Sequence, residues 1–315
     1  MERRVLGKTG IEVSRMCLGS LTMGPLQANI GVEAGARLLS AALDRGVSFI
    51  DTAELYRTYE QVGRALRGRR RESIVVSSRC YAYTYRDMRL SIERALLETG
   101  LDYIDLFGLH EQETRLTLKG HSEAIRGLVD AKREGLIRAV AVSTHAVEVV
   151  RAVVELPEID VVHPIFNMRG IGIIDGTVGE MEAAILQASA AGVGVYSMKA
   201  LGGGHLFREA QGAIRWVLGH DCIHSVAIGV KTEAELSADI AIMEGREVSP
   251  DVLRGLAGEK RLLIEEWCAR CGACVAACGQ GALHLGTSRA EVDPSKCVLC
   301  GYCVAHCPEF CIKVV

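Results

Sequence analysis

Three observations in the 315-residue sequence predict an α/β fold, a (β/α)8 TIM barrel with a small α+β domain after it. Apolar runs recur about every 30 residues, segments of helical pattern lie between them, and a burst of cysteines begins where that period stops. The runs begin at Met16 (MCLG), Val47 (VSFID), Ile74 (IVVSS), Ile104 (IDLFGLH), Ile137 (IRAVAVST), Val161 (VVHPIF), Val193 (VGVYSM) and Ser225 (SVAIG). Their spacings of 24 to 33 residues leave room for a three-turn helix each time. Runs that are apolar throughout imply strands buried on both faces, as in a parallel sheet wrapped by helices.

The intervening segments carry apolar residues at helical spacing, such as Leu38, Leu39, Ala42 and Leu43, or Ile92, Ala95 and Leu96. Gly46, Gly100, Gly135 and Gly192 follow such segments, where a left-handed cap lets the chain turn back onto the sheet. An open doubly wound sheet is the rival, but it calls for G-x-G-x-x-G after the first strand, and "MCLGSLTMGP" does not supply it. After the eighth strand a helix is expected over about 232–244 and another from Pro250 to Trp267. Two domains are therefore expected, residues 1–261 as the barrel and 262–315 as the tail.

The formal charge of −3 gives no electrostatic reason to expect nucleic acid or an anionic membrane as a partner. "MERRVLGKTGIEVSRM" has no apolar stretch behind its basic residues, and no uncharged run approaches the length of a spanning helix, so a cytoplasmic protein is expected. Of the twelve cysteines, Cys17, Cys80 and Cys222 are isolated and nine fall between residues 268 and 311. Disulfides suit secreted small domains better than a chain with a large core of its own.

The cysteine spacing is C-x2-C-x2-C-x3-C twice: Cys268, Cys271, Cys274 and Cys278, then Cys297, Cys300, Cys303 and Cys307 before Pro308. Thiolates in this run hold [4Fe–4S] clusters, and where two clusters are present the fourth cysteine of each run serves the other cluster. Two clusters are expected, one on Cys268, Cys271, Cys274 and Cys307 and the other on Cys297, Cys300, Cys303 and Cys278. A zinc ribbon would use two ligands per loop and leave four thiols over. The segments "CGACVAAC" and "CGYCVAHCPEFCIKVV" resemble the bacterial-type two-cluster ferredoxin module, with Gly279 where that module usually has proline. Cys311 reads as a small buried apolar residue.

In a barrel the chemistry gathers at the C-terminal ends of the strands. Asp51 ends the second run, Tyr56 follows it, Arg79 ends the third and His110 the fourth. Singly these would pass for a helix cap, a surface aromatic and a packed histidine. Together they have the parts of a proton donor with a tuned pKa.

The stretches "RVLGKTGIEVSRMCLGSLTMG", "FIDTAELY", "LDYIDLFGLH" and "SVAIGVKTEAEL" resemble the aldo-keto reductase family across residues 1 to about 245. The resemblance implies NAD(P)H-dependent reduction of carbonyls, with Asp51 as the family aspartate, Tyr56 as proton donor and His110 orienting the carbonyl. Arg79 stands where the family has lysine, keeping the charge with a longer, planar and non-titrating group. For the nicotinamide the resemblance implies Ser143, Thr144, His163 and Asn167 as contacts and Tyr196 as the stacking ring. It places Lys231 and Thr232 at the 2′-phosphate, favouring NADP(H) over NAD(H), and Asp239 at the adenine. The triple glycine at 202–204 is expected along the cofactor, and Tyr81, Tyr83 and Tyr85 wall the substrate pocket or form a docking face.

Taken together, the two halves lead to an expected carbonyl or alcohol oxidoreductase with a small-molecule substrate and a redox protein as partner. Two alternatives stand beside it: a one-electron reductase driven by the clusters without nicotinamide, and an electron-transfer subunit whose barrel is a scaffold. No flavin-binding signature is present to convert hydride to single electrons.

Overall fold

The fold was obtained as a computed structural model that describes residues 1–257 and 260–315. The chain opens with an antiparallel hairpin, β1 (Arg3–Val5) and β2 (Glu12–Ser14). Eight strands then close a parallel barrel: β3 (Met16–Gly19), β4 (Phe49–Asp51), β5 (Val75–Cys80), β6 (Ile104–Gln112), β7 (Ile137–Thr144), β8 (Val161–Pro164), β9 (Gly194–Met198) and β10 (Ser225–Gly229). The ring shuts where β10 pairs with β3, Val226 opposite Met16. All eight expected runs became barrel strands.

The hairpin was not foreseen. It plugs the N-terminal end, with Leu6, Ile11 and Val13 buried against Cys17, Phe49 and Leu106 in the barrel interior. A larger apolar layer between strands and helices includes Leu39, Val62, Ile92, Leu128, Val149 and Ile185. That plug leaves the opposite end, where strands finish, as the open face.

The helix expected from Pro250 to Trp267 is shorter, Pro250–Ala257. Gly258 and Glu259 lie outside the described residues, and the chain beyond them is extended rather than helical. There β11 (Leu262–Ile264) pairs antiparallel with β14 (Ile312–Val314), and β12 (Leu283–Leu285) pairs with β13 (Ala290–Val292). Leu262 and Ile264 both pair across this ribbon and are buried on one face of it, the period-2 pattern of a strand.

The tail is a structural repeat. Arg270 and Leu299 take φ of 54° and 52°, Gly272 and Gly301 take 78° and 80°, and short helices Ala273–Ala277 and Tyr302–Ala305 follow. A left-handed residue just before the second cysteine of each run curls the C-x2-C-x2-C loop around a common centre. For Arg270 and Leu299 that conformation costs on the order of 1–2 kcal/mol each, which the cysteine loop holds in place.

The tail folds back over the open face of the barrel. The Val314 amide donates to the Gly203 carbonyl at 3.0 Å, and His205 Nε2 donates to the Ile312 carbonyl at 2.9 Å. The triple glycine makes this approach: Gly203 and Gly204 have φ of 67° and 89°, and a Cβ on Gly204 would overlap the Val314 carbonyl oxygen.

Candidate active site and cysteine centres

Strand register brings the floor of the site together. Asp51 lies opposite Ser77 across β4 and β5, and Arg79 two residues on reaches back over it. The guanidinium grips the carboxylate with both arms, NH1 to Oδ1 at 2.6 Å and NH2 to Oδ2 at 2.7 Å. It also donates from NH2 to the Tyr56 hydroxyl at 3.0 Å. His110 meets the Tyr56 ring edge-on with centroids 5.7 Å apart, and Tyr81 stacks on His110 at 4.5 Å. The four residues expected at strand ends therefore converge on one point.

Burial sets their protonation. It pushes the Tyr56 phenol up to about 12, against the downward pull of Arg79. It drives His110 down to about 3, with Arg79 acting in the same sense. The site thus offers a protonated phenol and a neutral imidazole at any physiological pH. Because Asp51 neutralises Arg79 at close range, the cation holds the phenolic oxygen without ionising it.

These groups form the floor of a cavity of about 570 Å³. Its roof comes from the tail: Glu265, Trp267, Lys313 and Val314 line it. Its far end reaches Lys231, Glu235 and Lys260, where Lys260 pairs with Glu235 at 2.5 Å.

Of the eight residues expected at the cofactor, His163 and Lys231 reach the cavity wall. The other six do not line it. Ser143 Oγ accepts from the Glu111 amide at 2.8 Å, and Thr144 Oγ1 donates to the Gln112 carbonyl at 2.6 Å. Asn167 closes its own turn through Ile171, and Thr232 caps the following helix through the Glu235 amide. Asp239 is buried in that helix, its carboxyl pushed up to about 8 by burial and by Glu235.

Tyr196 departs most clearly from its expected stacking role. Its hydroxyl donates to Asp51 at 3.0 Å and meets Ser77 at 2.8 Å, beneath the floor, and His163 covers its ring at 3.8 Å and 13°. Both rings point into the barrel, but β8 lays His163 nearer the mouth. The ring available at the wall is therefore His163, which burial keeps neutral down to about 3.

Among the three loop tyrosines, Tyr81 lines the cavity and donates to Glu111 at 2.8 Å. Tyr83 is exposed, and Tyr85 is turned to Asp130 at 3.2 Å. Sequence reasoning missed Glu111 and Lys199 on the barrel side and every roof residue. A signal existed for one of them, since "MKALGGG" puts a charged residue directly after β9.

Two smaller cavities lie in the tail. Cys268, Cys271, Cys274 and Cys307 line one, and Cys278, Cys297, Cys300 and Cys303 line the other. The fourth cysteine of each run thus crosses to the other centre. None of these thiols is in a disulfide. Among the described residues no three metal-binding side chains converge closely enough for a single ion, whereas five thiols around the first cavity, Cys311 included, and four around the second suit a multinuclear group. The Ala282 amide donates to Cys278 Sγ at 3.3 Å, and a hydrogen bond from Cys311 draws Cys307 down to about 6. Cys311 is buried beside the first centre with its sulfur 3.4 Å from that of Cys307.

Residues 15–212, well over half of the chain, match the Aldo/keto reductase family. The chain belongs to that family. Residues 261–308 match a 4Fe-4S dicluster domain, so this is an aldo-keto reductase barrel joined to a ferredoxin-like domain. The chain is 27% identical over 183 residues to an aldo-keto reductase of Bacillus subtilis and spans about half the length of that relative, 54%, with 53% of its own. It is 25% identical to the L-galactose dehydrogenase of Arabidopsis thaliana over 69% of this chain and 70% of that one. A solved Pseudomonas aeruginosa structure ascribed to the aldo-keto reductases is 27% identical, with a TM-score of 0.65 over 77% of this chain and 94% of that one. The holo aldo-keto reductase AKR11C1 from Bacillus halodurans shares the fold at 20% identity, TM-score 0.67, covering 81% of this chain and 96% of that one. No helix among the described residues is long and apolar enough to cross a membrane.

Proposed function

We infer that this aldo-keto reductase joins NADP(H)-dependent reduction of a small carbonyl compound, or the reverse oxidation of an alcohol, to two [4Fe–4S] clusters in residues 262–315. One observation carries the reading: a single cavity has the proton-donating tyrosine in its floor and residues of the cysteine-rich tail in its roof. Along β11 and β14 the alternation of side chains divides the two centres. Ile264 and Ile312 line the cavity of Cys268 and Cys307, and their neighbours Glu265 and Lys313 line the barrel cavity. One layer of backbone lies between.

When bound, NADP(H) supplies or takes a hydride, two electrons at once, and each cluster passes one. The chain's own residues handle the proton. Tyr56 donates it to the carbonyl oxygen, Arg79 holds the phenolic oxygen so that its O–H faces the cavity, and neutral His110 orients the carbonyl. Asp51 fixes Arg79, and Tyr196 steadies Asp51 from below. A phenol held near 12 is a better donor than acceptor at neutral pH, which favours reduction. His163 offers the flat wall for the nicotinamide ring, and Lys231 marks the phosphate end. A cytoplasmic setting and a redox protein that exchanges electrons at the tail complete the reading.

Anaerobic titration with NADPH, followed by cluster absorbance and by NADPH oxidation over a carbonyl panel, tests it. Bleaching of the clusters together with carbonyl-dependent oxidation is expected. Absence of both overturns it. The pairing of Glu235 with Lys260 at the phosphate end favours one second reading, a cluster-driven reductase without nicotinamide. Dithionite-reduced protein would then reduce the substrate with no NADPH present.

A further inference from the structure

Two lysines from opposite halves of the chain meet in the cavity. Lys199 follows β9 on the barrel side, and Lys313 comes from β14 in the tail. Both direct their ammonium groups at the Phe310 ring, with Nζ 5.0 Å from its centroid for Lys199 and 3.2 Å for Lys313. Lys313 is 5% exposed and also donates to the Phe310 carbonyl.

Lys199 is held in place by strain and by contacts. It has φ of 58°, a conformation that a long side chain avoids. Its Nζ lies 2.7 Å from His145 Nε2 and 3.8 Å from Glu111. Glu111 has φ of 45° and sits in the irregular stretch of β6 between Leu109 and Gln112, directly after His110. Tyr81 ties the group to the floor by hydrogen-bonding Glu111 while stacking on His110. The two strained residues thus face each other within one side chain of the carbonyl position.

The charge around these groups is unevenly matched. Glu111 serves Lys199 and Tyr81 at once. Glu265 is the other acid near Lys313, and burial pushes it up to about 7. Burial also lowers the affinity of both lysines for their protons. Two buried lysines lining one cavity, with one fully committed carboxylate between them and the floor, are a place for an anion, whose charge would hold both as ammonium groups.

We propose that Lys199 and Lys313 form a carboxylate-binding subsite, so that the substrate is an oxo acid, or the matching hydroxy acid, whose carbonyl reaches Tyr56 and His110. This rests on the reading of the floor as a carbonyl-reducing site. The ferredoxin-like tail therefore supplies half of the substrate grip, and the barrel alone is an incomplete site. Lys199 and Lys313 are positioning residues: they act on binding and leave the proton to Tyr56.

The test uses the intact, cluster-loaded protein with 2-oxo and 3-oxo carboxylates beside their neutral carboxamides. Thermal stabilisation reads binding, and NADPH oxidation reads turnover. Expected is at least a tenfold lower KM for the acids. Lys199→Gln should abolish that preference by raising the KM for the acids at least tenfold, with kcat changed less than threefold. Lys313→Gln should do the same and Lys313→Arg should restore it, which separates charge from a strut holding the tail. Carboxamides bound and reduced as well as the acids would overturn the subsite and leave the reductase reading standing. Acids that stabilise the protein in a Lys199-dependent way without turnover would support the subsite and sink that reading. No stabilisation by any of the acids overturns the subsite.

Discussion

On the floor of the cavity Arg79 meets a carboxylate at 2.6 and 2.7 Å, while on the roof Lys313 rests on the ring and carbonyl of Phe310. The floor is assembled from neighbouring strands of one closed sheet, and its charges cancel within the protein. The roof is assembled from a strand pair that arrives from elsewhere in the chain, and its cation keeps capacity for a ligand. The proposed proton-handling groups are thus held by the closed sheet, and the proposed substrate-gripping lysine sits at the junction of barrel and tail.

Breaking the floor should have the largest effect. Asp51→Asn leaves a buried guanidinium without its counter-ion, and a loss of roughly 3–5 kcal/mol is expected in denaturant unfolding, with carbonyl reduction lost as well. A variant as stable as the parent would show that the floor is less rigid than its hydrogen bonds imply. On the roof, Gly204→Ala meets both a left-handed backbone and the Val314 carbonyl, and should cost roughly 2–4 kcal/mol. Its mark should be rapid proteolysis of residues 262–315 while the barrel survives. Gly212→Ala, in the helix Ala210–Leu218 with open space around it, serves as the control and should gain a few tenths of a kcal/mol to about 1.

Acid sharpens the comparison from the floor side. His110 and His163 are each held near 3 in the folded chain against 6.5 when free, mainly by burial. The unfolded chain therefore binds more protons below 6.5, so the stability that these histidines contribute is complete above that pH and is lost as pH falls toward 3. Between pH 6.5 and about pH 5 the loss should be roughly 2 kcal/mol for each histidine, seen in unfolding midpoints. His145, His205 and His224 are depressed as well, so His163→Gln should make the slope shallower by only one histidine's share. The smallest effect belongs to the rim, where Arg208 donates to the Val298 carbonyl at 3.0 Å on an exposed edge. Arg208→Ala should cost less than about 1 kcal/mol and leave the tail docked.

Much of this was legible in the sequence, and the limits have a physical cause. The period of about 30 residues marked all eight barrel strands, because each unit must bury a strand of similar length under a helix. Asp51, Tyr56, Arg79 and His110 were legible because strand ends share one face by construction. The crossing of Cys278 and Cys307 was legible because their spacing repeats. Lys199, Glu265 and Lys313 were not, since their meeting depends on a tail folding back over the mouth, which no local pattern encodes. Tyr196 was misplaced for a related reason: alternation says that it points inward, but not that His163 would lie above it. The glycines at 202–204 were seen as a loop, and their need became clear with the Val314 backbone lying against them.

The pairing of β11 with β14 has a consequence for the order of synthesis. Residues 312–314 leave the ribosome about fifty residues after residues 262–264, and until they do the first strand has no partner. The barrel is complete in the chain well before that moment, its mouth uncovered and its plug already at the opposite end. Completion of the two cysteine sets and the covering of the mouth then fall in the same late interval, because Cys307 and β14 are made together. Closure of the cysteine centres and closure of the cavity become one event in the life of each new chain.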